Sequence, residues 1–155
     1  IFNRYDTQLE KSNRLSFGLN ASYIYTDLML DILNTDPRKT KLEGASPFLL
    51  NADLSYNFRK SDKNFTASII FNYFSDRVHT IGTKGFRDII EEGVPTLDFV
   101  ASYGFNKYFS INFKAANLLN AAYRLSRESN VSDDNIVLNE FKKGQNISLG
   151  ISYQF

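Results

Sequence analysis

The residue types that carry covalent chemistry are scarce in this chain and poorly spaced. It has no Cys and a single His, His79, which excludes thiolate nucleophiles, Cys-based metal sites and any intrachain His pair. Glu91-Glu92 and Asp133-Asp134 are adjacent carboxylates, whereas glycoside hydrolysis needs two carboxyls facing each other across a cleft. Asp133-Asp134-Asn135 offers oxygen donors of the kind calcium takes, but without the spacing of a calcium loop. No hydrolase triad and no glycine-rich phosphate loop can be read. Enzyme activity, a cofactor and a metal site are therefore not expected, and His79 reads as a solvated loop residue. The residues suited to recognition are Phe86, Arg87 and Asp88, and further on Tyr123, Arg124, Arg127 and Glu128. Their rings and charges could contact a sugar or an anionic ligand, with ordinary loop packing as the competing reading.

What must position these residues is a set of strands. The chain has 155 residues, room for one ordinary domain, and 15% of them are aromatic, which is unlike intrinsic disorder. Eighteen Lys plus Arg stand against 17 Asp plus Glu, so a partner held by bulk charge, such as nucleic acid, is not expected, although a local patch would survive that balance. No apolar run is long enough for a membrane-spanning helix. Period-two alternation, the mark of a two-faced strand, runs through 15–25, 48–58, 65–73, 97–105, 109–115 and 147–155. Leu15, Phe17 and Leu19, then Leu50, Ala52 and Leu54, then Ile147, Leu149 and Ile151, lie on one face. Asn20, Asn51, Asp53, Asn72, Asp98, Asn112, Lys114 and Gln154 lie on the other.

Short polar links at 59–64 and 106–108 alternate with long connections at 27–47, 76–95 and 120–145, which read as loops. Residues 1–13 read as the end of a preceding strand or as a turn. Strict alternation of short and long links places every long connection at one end of an up-and-down sheet, the asymmetry of an outer-membrane barrel. Aromatic residues near strand ends and charge-free apolar faces favour lipid contact over the core of a soluble ligand-binding β-barrel. A sheet in lipid must close, and six strands are too few, so the expectation is an antiparallel transmembrane β-barrel sector completed by strands from outside the chain. The eight polar residues would then face a lumen, where buried Asp98 or Lys114 would need a partner.

Three stretches, 42–56 (LEGASPFLLNADLSY), 113–120 (FKAANLLN) and 147–155 (ISLGISYQF), resemble the carboxy-terminal barrel region of Bacteroidetes-type TonB-dependent outer-membrane transporters. The alternating last strand ending in Phe is also similar to the signal recognised by barrel-assembly machinery. The resemblance implies that residues 1–155 form the last six strands of a roughly 22-stranded barrel, with the plug domain and remaining strands outside this chain. It implies uptake of a scarce nutrient (a metal chelate, glycan, peptide or vitamin) energised by TonB, no covalent chemistry, and a location in the cell outer membrane with the C terminus toward the periplasm. The partners implied are outer-membrane lipid and lipopolysaccharide, the remaining strands and plug, TonB through that plug, and a surface-exposed substrate-binding lipoprotein. A passive porin and a structural barrel subunit of an outer-membrane complex are the alternatives.

Overall fold

The computed structural model describes residues 2–10, 12–31, 37–83, 85–129 and 135–155. In chain order the strands are β1 (Phe2–Glu10), β2 (Asn13–Tyr23), β3 (Leu28–Leu30), β4 (Arg38–Thr40), β5 (Phe48–Lys60), β6 (Lys63–Phe74), β7 (Arg77–Thr80), β8 (Ile89–Glu91), β9 (Val94–Gly104), β10 (Phe109–Ala116), β11 (Ala122–Glu128), β12 (Asn135–Lys142) and β13 (Asn146–Tyr153). They form three antiparallel sheets: seven strands in the order β1-β2-β5-β6-β9-β10-β13, four in the order β12-β11-β8-β7, and the β3-β4 pair.

The six alternating stretches all become strands of the large sheet, with ends displaced by a few residues: β2 stops at Tyr23 and leaves Tyr25 outside it, and β9 begins earlier, at Val94. Residues 2–10, ambiguous in the sequence, pair with β2 as a seventh strand. The short links are turns whose side chains or conformations fix them. Ser61 takes a left-handed φ of 53° between paired Lys60 and Lys63. Asn106 Oδ1 accepts from both Tyr108 N and Phe109 N at 2.9 Å, an Asx turn that lets β10 fold back on β9.

The expected transmembrane β-barrel sector, six strands of a larger closed barrel, is not what these residues form. Among the described residues no strand joins the β1 edge to the β13 edge, and all three sheets are open. The long connections are not plain loops either, because they contain β3, β4, β7, β8, β11 and β12. The lumen expected for the eight polar residues therefore has no counterpart among the described residues, and what the structure shows is a large sheet together with a four-stranded sheet and the β3-β4 pair, both built by its long connections. Among described apolar residues only Val78, Val94 and Ala115 are buried. The alternating apolar row stays accessible, with Leu54 at 42% and Ile151 at 67% exposure.

Candidate functional site

The polar face of the large sheet is ordered by register. Asn20, Asn51, Asn72 and Thr96 are successive partners across β2, β5, β6 and β9, and Asn72 Nδ2 donates to Thr96 Oγ1 at 3.4 Å. One row along, Gly18 faces Asp53, and Ile70 separates Asp53 from Asp98. A Cβ at Gly18 would strike the Asp53 carboxylate, and one at Gly104 would strike the Asn64 amide. These glycines thus make room for a neighbour's side chain rather than supplying an unusual turn. Asp98 has no ion-pair partner among the described residues but accepts from Asn117 N at 2.8 Å. Asn112 bridges Ser102 and Ser152 at 2.8 and 3.3 Å. Lys114 is exposed, and Gln154 lies beyond the end of β13, its backbone N–H donating to Tyr108 O. Register therefore unites the three asparagines in one row and distributes the other five residues over the rest of this face.

At the opposite end from the short turns, the three long connections are tied into one body. Asp88 accepts from Arg38, from Thr40 Oγ1 and, at 2.8 Å, from Gly82 N, so the β3-β4 pair is pinned to the second connection. Burial opposes ionisation of Asp88, but hydrogen bonds from Arg38, Thr40 and Gly82 outweigh it and hold its carboxyl below the ordinary value. Glu43 Oε1 accepts from Ile81 N at 2.6 Å, and Val78 O accepts from Gly44 N at 2.8 Å. The second and third connections pair directly, β8 to β11, through Glu91–Leu125, Ile90–Ser126 and Ile89–Arg127.

A second clamp closes the third connection at its base. Asn117 and Asn120 take left-handed φ values of 56° and 45°, a conformation Asn tolerates better than most side chains. Asn117 Nδ2 donates to Gly144 O at 2.7 Å, Asn120 Oδ1 accepts from Gly144 N at 3.1 Å, and Gln145 Nε2 donates to Leu118 O at 2.7 Å. Sequence reasoning passed over this clamp, although two asparagines around Leu118-Leu119, with Gly144 downstream, were a usable turn signal.

Of the candidate contact residues, the four-stranded sheet brings Phe86, Arg87, Arg127 and Glu128 together. The Arg127 guanidinium lies 5.3 Å from the Phe86 ring centroid, and Arg87 pairs with Glu128 at 3.6 Å. Buried Arg127 Nε has no hydrogen-bond partner, and the residue has no carboxylate partner among the described residues. Alternation along β11 puts Tyr123 on the same face as Arg127. There Tyr123 stacks on Phe141 at 5.6 Å and 15°, and Lys143 Nζ sits 3.8 Å from the Tyr123 centroid. Phe141 and Lys143 were not singled out in the sequence; only cross-strand register reveals them. Arg124 points to the other face, where Glu140 at 2.7 Å and Glu92 at 3.9 Å occupy it. That second face carries a cleft of about 420 Å³ with Asp76, Glu92 and Glu128 among its walls, so its charge repels anions. His79 stands half-exposed, 3.9 Å from Glu91. Asp133 and Asp134 lie outside the described residues, while Asn135 opens β12.

No family model, curated protein or solved structure matches the chain. Together with the open sheets, this withdraws the TonB-dependent transporter reading: neither barrel closure nor similarity to a known receptor supports it. The nutrient-uptake function and the outer-membrane location, with its periplasmic C terminus, rested on that resemblance and are withdrawn with it. What is established is an all-β chain with three open antiparallel sheets, on which two polar surfaces are built.

Proposed function

We propose that the chain is a non-catalytic binding module, and that the face carrying Tyr123 and Arg127 takes a carbohydrate bearing carboxylate or sulfate groups. The observation that carries this reading is the placement of Arg127: its charge lies over Phe86 without a carboxylate to neutralise it among the described residues, and four residues along the same face of β11 stands a stacked Tyr123–Phe141 pair topped by Lys143. Aromatic faces accept the C–H faces of a sugar ring, and a guanidinium binds a carboxylate or sulfate through paired N–H donors. Tyr123, Arg127 and Phe141 are held by strands β11 and β12, which lowers the ordering cost of binding. The contrast with the acidic cleft on the reverse face gives the sheet one side suited to anions and one that is not.

Titration calorimetry with oligogalacturonate and with its methyl-esterified form tests this. The acid form is expected to bind and the ester to bind much more weakly. Arg127→Ala and Tyr123→Ala should each cost about 1–3 kcal/mol of binding. Equal binding of acid and ester, or indifference to both substitutions, would overturn the proposal.

A further inference from the structure

The short-turn end of the large sheet carries a second surface that the proposed sugar site does not use. Register aligns Arg59, Asn64, Gly104, Ser110 and Ser152 as successive partners across five strands, and they border a cavity of about 670 Å³. A second cavity of about 390 Å³ shares Arg59 and Asn64 with it and extends the depression past Arg14 and Arg4 toward the β1 edge. Arg59, Lys63 and Lys107 line the larger cavity against one carboxylate, Asp62, and none of the three cations has an ion-pair partner among the described residues. Arg14 and Arg4 share Asp6, at 2.5 and 3.5 Å. The unspent positive charge is therefore concentrated on the Arg59–Lys107 side.

From this we infer that the trough is a docking site for an acidic polypeptide segment. Charge complementarity supplies the attraction, and the floor supplies the choice of polymer. Asn64, Ser110 and Ser152 present both donors and acceptors, which match the alternating N–H and C=O groups of a peptide, whereas a phosphate backbone offers acceptors alone. Farther along the same face stand Asp53 and Asp98, whose carboxylates limit a long polyanion to the short-turn end. An occupant with two or three Asp or Glu side chains over a few residues fits this distribution, its carboxylates meeting Arg59, Lys63 and Lys107 while its backbone bonds to the polar row.

Fluorescence anisotropy of a labelled deca-glutamate peptide on the whole chain is the test, with deca-glutamine as the neutral control. Deca-glutamate should bind with an affinity that falls as salt rises, and deca-glutamine should not bind. Arg59→Glu and Lys107→Glu, both at exposed positions, should each weaken binding about tenfold. Lys41→Glu makes the same charge change on a different surface and should leave binding as it was, which separates a local site from bulk charge. Circular dichroism of each variant confirms that the sheets persist, and Lys63→Glu provides a third reversal should either of the first two unfold. The inference is overturned if deca-glutamate does not bind, if Lys41→Glu weakens it as much as Arg59→Glu, or if single-stranded DNA of equal charge binds more tightly through the same cations. None of these outcomes depends on whether the Tyr123 face binds sugar.

Discussion

Gly18 and Asp53 show how much of this sheet is decided by single neighbours. Glycine inside a strand normally weakens it by about 0.5–1 kcal/mol relative to alanine, yet Gly18 is buried beneath the Asp53 carboxylate, where a Cβ has no room. Gly18→Ala is therefore expected to destabilise the chain, by about 1 kcal/mol, because Asp53 must leave its rotamer. In an Asp53→Ala background the same substitution should be neutral or stabilising. A denaturant double-mutant cycle measures this coupling directly, and additive effects would show that the two side chains do not compete for space. Periodicity placed Asp53 on the polar face, but it could not show that Gly18 lies opposite. That fact belongs to register, which a single strand's pattern does not contain.

The same limit explains what could be read of the elements. Strands β2, β5, β6, β9, β10 and β13 were legible because each alternates over at least seven residues, long enough for period two to stand out. β3, β4 and β8 have three residues each and carry no period to read; β3 and β4 pair with each other and are pinned by Asp88 of the second connection, and β8 lies between β7 and the third connection's β11. Asp88 is the main such tie, and acid provides a way to release it. Its folded-state carboxyl lies below the ordinary aspartate value, so the stabilisation it supplies is fully present above that ordinary value and is lost as pH falls through the lower, folded one. Hydrogen-exchange protection factors at residues 38–40 and 80–82, corrected for the intrinsic pH dependence of amide exchange, should fall as the pH is taken below about 4. Asp88→Asn should already show the faster exchange at pH 7, and Asp88→Ala should cost about 2 kcal/mol. Exchange unchanged by pH and by Asp88→Asn would mean that the connections are held together elsewhere.

For the whole molecule, alternation specified which residues share a face but not what that face meets. An apolar row reads alike whether it covers a core, touches lipid or remains accessible, so the step from alternation to barrel closure was the one the sequence could not support. The candidate contact residues fared differently from one another for a physical reason. Phe86 and Arg127 are more than forty positions apart in the chain and meet only because β8 pairs with β11, whereas Arg124, three positions before Arg127, is turned away by alternation and taken up by Glu140. On the proposed reading, function is a property of that assembled face. Amide hydrogen exchange with and without oligogalacturonate tests it most directly: protection is expected at residues 85–91, 122–128 and 139–143 and should disappear in Arg127→Ala, whereas protection absent from these segments, or retained in that variant, would contradict it.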